Sequence, residues 1–386
     1  MTTNEPPSRK GKGAINVLHL VFSLASGGAE NGIVNLTNHL APEEFSTTIL
    51  CLDERGAFAE RLSPKVPVVC LERNYRFSWE VTRRLADVLR GKAKERTVLH
   101  THNHGPLLYG ALAKLRSRSA VPILHGEHAE LFGQDLNLRR RIQRAIFYRL
   151  SARIHTVCQA TKSQLVELGY DATKITAVLN GVDCDRFKPA TDRSAAKASH
   201  GLPAGATVIG YVARFAPSKR HSLLLETFAQ LGELYPDLHI LLVGDGGASK
   251  QDILEQIRSH PFSSRIHWKG FQASPEALYQ AMDLFVLPSE HEGLANAMLE
   301  AMATGIPVLA NRSCGANEVL EHPQNGHLAE MHSPADLKTA IVEMLSQPTQ
   351  LARISQQARQ TAKERFSLTA MANGYSDLYR SLFPSG

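Results

Sequence analysis

Cysteine is scarce in this sequence. The five cysteines, Cys51, Cys70, Cys158, Cys184 and Cys314, lie far apart in 386 residues, an odd number with no C-x-x-C pair and no histidine at zinc-ligand spacing. That leaves no disulfide framework, and a reduced, cytoplasmic setting is expected. No apolar stretch approaches the ~20 residues needed to cross a bilayer. The polar, basic opening MTTNEPPSRKGKG lacks the apolar core and small-residue cleavage site of a signal peptide, so residues 1–14 read as a disordered lead-in. Zinc fingers, basic zippers and aromatic RNA-binding strands are also missing, as are low-complexity tracts, and nucleic acid is not expected as a partner.

What is present begins with charge. A net charge of +6 favours anionic partners, either phosphorylated substrates or an anionic lipid surface. With 43% hydrophobic residues over this length, the chain can bury more than one core.

From Ile15 onward, short runs rich in Val, Ile and Leu alternate with stretches of helical period, the pattern of parallel sheets with crossover helices. INVLHLVF, STTILCL, VPVVCL, TVLHTH, PILHGEH, ARIHTV and KITAVLN read as a first sheet. TVIGYVAR, LHILLVG, RIHWKG, DLFVLP, IPVLAN and GHLAE read as a second. Helices are expected at Ser222 to Leu234, Ser333 to Leu345, Pro348 to Arg365 and Ser367 to Phe383. The polar stretch 186–206, with Pro and Gly and no periodicity, reads as a linker. The resulting domains are 15–190 and 205–366, with 367–386 as a closing helix.

Ligands of open α/β sheets bind beyond the carboxyl ends of the strands, and four strand-to-helix turns there carry unusual residues. Ser26-Gly27-Gly28-Ala29-Glu30 opens a helix whose free amides suit an anion; a tight turn without ligand explains it as well. His100-Thr101-His102-Asn103-His104 and His125-Gly126-Glu127-His128 set five histidines on adjacent strand ends, fit for sugar hydroxyls, phosphate or a metal, though the i, i+4 helical spacing of metal ligands is missing. Arg214 with Lys219 and Arg220 offers fixed cations that can bind a diphosphate and stabilise the charge it gains as a glycosidic bond breaks. Ser289-Glu290-His291-Glu292-Gly293-Leu294-Ala295-Asn296 leads into a helix carrying Glu300. Glu292 and Glu300 can hold a hexose and a ribose, with the Gly293 and Leu294 amides at the helix N-terminus.

GGAE, HGEH, NGVDCDRF, Arg214 with Lys219, LLVGDG and SEHEGLANAMLEAMATGIPVLA together resemble the retaining glycosyltransferases of the large fourth family, glycosyl transferases group 1, from about Ile15 to the end. THN and HGEH further resemble exopolysaccharide-associated sugar transferases. The resemblance implies an α/β GT-B fold: two Rossmann-like domains facing across a cleft, the N-terminal one for acceptor and the C-terminal one for nucleotide sugar, with C-terminal helices returning toward the N-terminal domain. It also implies roles. Arg214 and Lys219 grip the donor diphosphate, Glu292 contacts the transferred sugar, and Glu300 binds the ribose. His128 stands near sugar and acceptor. Gly27, Gly28, Gly244, Asp245, Gly270, Phe271, Gly293, Leu294, Ala295 and Glu318 fall on the donor side; Glu30, His102, Asn103 and Glu127 fall on the acceptor side. No metal or cofactor is implied beyond a nucleotide-sugar co-substrate, with UDP the commonest carrier.

Some residues depart from that pattern. Leu294 stands where Phe is common, Cys158 where Ser is, and Cys314-Gly315-Ala316-Asn317-Glu318 replaces GG-x-P-E. Asp183-Cys184-Asp185 mimics the D-x-D motif of metal-dependent transferases but sits inside NGVDCDRF, and reads as structural. In 138–150, Ile142, Ile146, Phe147 and Leu150 recur at helical spacing opposite many arginines. That suits a helix resting on anionic lipid at the inner membrane face, or an ordinary helix with a solvated basic face. An epimerase or phosphorylase of the same fold, and a silent sugar-nucleotide binder, are the rival readings.

Overall fold

The computed structural model describes residues 13–25 and 27–383, apart from the side chain of Cys314. The expected lead-in, except for Gly13 and Ala14, and Ser26 of the Gly-Gly turn lie outside the described residues.

Each apolar run named above forms a strand: β1 (Ile15–Val21), β2 (Phe45–Cys51), β3 (Val68–Cys70), β4 (Thr97–His102), β5 (Ile123–Glu127), β6 (Arg153–Thr156), β7 (Ile175–Ala177), β8 (Thr207–Val212), β9 (Leu238–Val243), β10 (Ile266–Trp268), β11 (Leu284–Leu287), β12 (Val308–Asn311) and β13 (His327–Ala329). Strands buried on both faces need near-continuous apolar sequence, as in β9, LHILLV, which is buried at every position; β4, TVLHTH, is equally buried although four of its six residues are Thr or His.

The chain divides into two compact units. The first comprises Met1–Glu127, Asn137–His155 and Ala372–Gly386, and the second His128–Leu136 and Thr156–Met371. In the first, strands β1 to β6 stand in the order β3-β2-β1-β4-β5-β6, and in the second the order is β10-β9-β8-β11-β12-β13. The pairing of β1 with β2 and β4, and of β8 with β9 and β11, is parallel. Both are Rossmann-like sheets whose order reverses at the first strand, so each has a switch point where the turns after β1 and β4, or β8 and β11, diverge.

The long helices start where local chemistry satisfies their first amides. Ser333 and Asp336 form a capping box for Pro334–Leu345, and Pro348 opens Pro348–Arg365. Ser367 Oγ accepts from Ala370 N at 3.2 Å ahead of Leu368–Ser381. From Ala372 onward that last helix belongs to the first unit, where Tyr379 is buried and Arg380 grips Glu44 at 2.6 Å.

Two stretches differ from the sequence reading. The stretch 186–206 is not irregular throughout, since Arg193–Ser199 is helical, started by Asp192 accepting from Ala195 N at 3.0 Å. Its Lys197 is buried because its ammonium reaches Ala206 O and Asp283, both at 2.7 Å. The helix Leu138–Leu150 exposes a different apolar stripe from the one expected. Leu138, Ile142 and Ile146 face solvent at 72%, 52% and 50%, whereas Phe147 packs inward. Arg144, counted among the solvated arginines, is 2% exposed because a buried carboxylate, Glu127, holds it.

Candidate active site

In the second unit the turns after β8 and β11 are tied together. Glu290 N donates to Ser218 O at 2.9 Å, and the buried Tyr211 hydroxyl donates to Lys219 O at 2.8 Å and lies 3.0 Å from Ser289 Oγ. This bracing sets Lys219 Nζ against Glu292 Oε1 in an ion pair whose side chains are 20% and 14% exposed. Arg214 is exposed just beyond β8. Arg220 takes a left-handed φ of 52°, the strained bend between Lys219 and the helix His221–Leu231. Burial pushes the Tyr211 phenol well above its ordinary range, and the charge of Glu292 adds to this despite the Ser289 contact.

Glu300 sits about one turn into the helix Asn296–Ala303 and accepts from the buried Tyr279 hydroxyl at 2.8 Å. The structure thus joins Lys219 to Glu292 directly and holds Glu300 separately, through the helix Glu276–Gln280.

The loop between the two glutamates is packed backbone against backbone. A Cβ on Gly293 would lie 2.7 Å from His128 O and 3.1 Å from Val157 Cγ2, and a Cβ on Gly315 would lie 1.6 Å from Gly293 O. His128 is therefore at the Glu292 loop through its backbone. Leu294 and Ala295 bury their side chains, so their amides rather than their side chains are what they can present. Asn180 Nδ2 donates to Asn296 Oδ1 at 2.9 Å, bracing the same loop, while Val182 N donates to Phe366 O at 2.7 Å. Asp183 Oδ1 accepts from Asp185 N at 3.0 Å and Arg186 N at 2.9 Å, so this half of the D-x-D lookalike closes a turn.

Glu318 reaches a different element. Its carboxylate accepts from Gln159 N at 2.6 Å and Ala160 N at 3.4 Å, the opening amides of the helix Gln159–Glu167. Cys158 occupies the N-cap of that helix but makes no cap bond, its Sγ lying 3.1 Å from Thr161 Oγ1. The glutamate supplies from a distance the cap that a serine at 158 would supply locally.

After β9, Gly244 has φ 136°, and a Cβ there would meet Ala213 O at 2.1 Å. Its amide donates to Gly270 O at 2.7 Å, bringing the Gly244 and Gly270 turns together. Asp245 accepts from Lys250 at 2.7 Å and from Gly246 N at 2.6 Å; Phe271 is exposed. The Lys250 contact, chiefly, holds the Asp245 carboxyl below its ordinary range.

In the first unit, Gly27 is the N-cap of the helix Gly28–His39, and the Glu30 carboxylate folds over it, 2.1 Å from where a Gly27 Cβ would be. Asn103 has φ 64° at the end of β4, and its amide donates to Gly126 O at 2.8 Å. His102 and Glu127 are buried at 3% each. Glu127 accepts from Arg144 Nε at 2.9 Å and Tyr148 OH at 2.6 Å, and His125 lies 3.4 Å away. Burial alone would raise its pKa; His125, Arg144 and Tyr148 more than offset that and hold the carboxyl well below the usual range.

Sequence reasoning missed Tyr211, Tyr279 and His221. Tyr211 had a signal, as the one aromatic residue inside the strand TVIGYV; Tyr279 and His221 lie outside the turns and segments that the sequence singled out. His221 is buried between Tyr211 and Phe215, with ring centroids 4.6 and 4.7 Å away. Burial, reinforced by Lys219, lowers its pKa to about 3.

Comparison with known proteins agrees with this architecture. Residues 26–186 match the model of Glycosyltransferase Family 4 and residues 192–361 that of Glycosyl transferases group 1. The chain is 32% identical over 319 residues to a D-inositol 3-phosphate glycosyltransferase of Rhodococcus erythropolis, covering 77% of this chain and 71% of that protein. It is 26% identical over 286 residues to an N-acetyl-alpha-D-glucosaminyl L-malate synthase of Bacillus anthracis, covering 73% and 74%. The crystal structure of Anabaena Alr3699/HepE in complex with UDP and glucose superposes with a TM-score of 0.83 at 22% identity, over 95% of this chain and 99% of that one, which gives the GT-B fold. With two reversing parallel sheets, matches to both family models and a relative above 30% identity, the chain belongs to the family 4, or group 1, glycosyltransferases.

Proposed function

We propose that this glycosyltransferase moves a hexose-type sugar from a nucleotide diphosphate sugar, with UDP as the nucleotide, to a hydroxyl of a glycan, lipid-linked or small-molecule acceptor in cell-surface polysaccharide or glycoconjugate synthesis. The anomeric configuration is retained and the transfer itself uses no metal. The observation that carries this is the Lys219–Glu292 ion pair, held by Tyr211 and Ser289 at the switch point of the second sheet.

In this reading residues 205–366 bind the donor, residues 15–190 bind the acceptor, and 367–386 close the chain. Lys219 and Arg214 take the diphosphate and supply the positive charge that a metal provides elsewhere. Glu292, released from Lys219, accepts hydroxyls of the sugar, and Glu300 accepts those of the ribose. The amides of Gly293 to Ala295 face sugar or phosphate oxygens. Gly27 and Gly28 border the phosphates, while Gly244, Asp245, Gly270 and Phe271 border the nucleotide. Glu318 supports the donor side by capping its neighbouring helix. His128 serves the sugar and the incoming hydroxyl, with Glu30, His102, Asn103 and Glu127 on the acceptor side. The sugar leaves as an oxocarbenium-like species, and the departing phosphate takes the acceptor proton on the same face, so configuration is kept. UDP is supported by the Anabaena relative, whose structure holds UDP and glucose.

We also place the enzyme at the cytoplasmic face of the membrane, resting on anionic lipid through 138–150. Leu138, Ile142 and Ile146 are exposed there beside Arg139, Arg141 and Arg149.

The test is a panel of nucleotide sugars assayed for nucleotide release, alone and with lipid-linked, glycan and inositol phosphate acceptors, in the presence of chelator. Acceptor-dependent release with an α-linked product from an α-linked donor is expected. Isomerised donor without acceptor would make it an epimerase, dependence on inorganic phosphate a phosphorylase, and binding without turnover a silent protein.

A further inference from the structure

Four histidines of the first unit converge on one face of its sheet. His100 and His102 alternate on β4 and so point the same way, and His19 on β1 is the register partner of His100. The β5 residue paired with His102 is Gly126, which carries no side chain, and β6, next to β5, carries His155. All four rings are nearly inaccessible, between 0% and 3% exposed. Ring centroids of His100 and His102 are 4.1 Å apart, and those of His100 and His155 are 4.8 Å apart.

The orientation of the rings is more informative than their crowding. His19 Nδ1 and His102 Nε2 face each other at 2.9 Å, and His100 Nε2 and His155 Nε2 at 2.7 Å. One ligand nitrogen each from His19, His100 and His102 lies within 4.8 Å of the others. The remaining nitrogens of His100 and His155 turn outward to tyrosine hydroxyls of the last helix, Tyr379 at 2.8 Å and Tyr375 at 3.3 Å. For His100 and His155, then, the second nitrogen is held by an oxygen partner while the first faces the cluster, as in the supporting shell of metal-ligating imidazoles.

We propose that the first unit holds one zinc-class divalent ion between His19 Nδ1 and the Nε2 atoms of His100, His102 and His155. A tetrahedral ion with bonds of ~2.0–2.1 Å needs ligand nitrogens roughly 3.3 Å apart, so the two short pairs open by about half an ångström and the wider spans close. With four protein ligands and no exposure the site is structural. It clamps β1, β4 and β6 to the segment Ala372–Gly386 through Tyr375 and Tyr379. The proposal is independent of the donor site, whose Lys219 and Glu292 belong to the second unit.

The test uses the untagged full chain. Metal content is measured by mass spectrometry after dialysis against zinc, and visible absorption is recorded after loading with cobalt. About one ion per chain and the absorption of tetrahedral cobalt are expected, with occupancy falling at least tenfold in His19→Ala and His102→Ala. Tyr379→Phe should weaken binding about tenfold while leaving one site. A wild-type chain that is folded by circular dichroism yet holds under a tenth of an equivalent overturns the proposal, leaving a hydrogen-bonded imidazole network. Full occupancy in both alanine variants overturns it as well, and the wild-type measurement stands if those variants fail to fold.

Discussion

Lys219 and Glu292, 73 positions apart in the sequence, neutralise each other at the meeting of two strand-to-helix turns. An ammonium taken from its carboxylate partner by a diphosphate leaves that carboxylate open to accept sugar hydroxyls, so the two halves of a donor can be recognised by dividing one ion pair.

Lys219→Met and Glu292→Gln are each expected to lower kcat/KM for the nucleotide sugar by roughly 10²–10³. The double variant should lose less than the product of the two, because the residues act as a unit. Initial rates on all four proteins check this, and fully multiplicative losses would separate the roles of the pair.

Gly315→Ala places a methyl carbon 1.6 Å from Gly293 O, and Gly293→Ala sets one 2.7 Å from His128 O. Backbone must move in both cases. A loss of about 1–3 kcal/mol or more in urea unfolding is expected for each, with Gly315→Ala the worse. Unchanged unfolding midpoints would contradict the packing described.

Glu318→Ala strips the remote cap from the helix Gln159–Glu167 and should cost about 1 kcal/mol. Adding Cys158→Ser supplies a local Oγ cap and should restore most of it. The Michaelis constant for the donor, measured on the same variants, tells whether Glu318 also meets the nucleotide sugar; a change that Cys158→Ser does not repair would place it there.

His221 is expected to make the fold sensitive to acid. Its pKa is lowered to about 3 in the folded chain from 6.5, so the unfolded chain binds the extra proton as pH falls. The stability of neutral His221 is fully present above pH 6.5 and is lost progressively toward pH 3. Between pH 7 and 5 this amounts to roughly 2 kcal/mol. His221→Phe should flatten the unfolding midpoint over that window relative to wild type, and parallel pH profiles would refute the assignment.

Ile142→Glu with Ile146→Glu should abolish flotation with anionic vesicles while leaving transfer to a water-soluble acceptor within about twofold of wild type, since both side chains face solvent. Retained flotation would move the membrane contact elsewhere.

Pattern alone determined the strands of both sheets, because a parallel strand buried on two faces must be largely apolar, as β9 (LHILLV) and β11 (LFVL) are; β4 (TVLHTH) is buried at every position despite its threonines and histidines. It also determined the long C-terminal helices, where Ser333, Pro348 and Ser367 act within a few residues of themselves. Motif residues were legible as residues: Lys219, Glu292 and Glu300 stand out at strand ends whatever they touch. What they touch was decided by tertiary structure. Nothing local says that Lys219 pairs with Glu292, that Tyr279 takes one oxygen of Glu300, that Glu318 caps a helix 159 positions earlier, or that Arg144 turns inward to Glu127 on a helix otherwise rich in solvated arginine. The four histidines show the limit most directly. Metal-ligand spacing in sequence records ligands one turn apart on a helix, whereas His19, His100 and His155 are neighbours only because parallel strands from distant parts of the chain lie side by side, and that adjacency is a property of the sheet order.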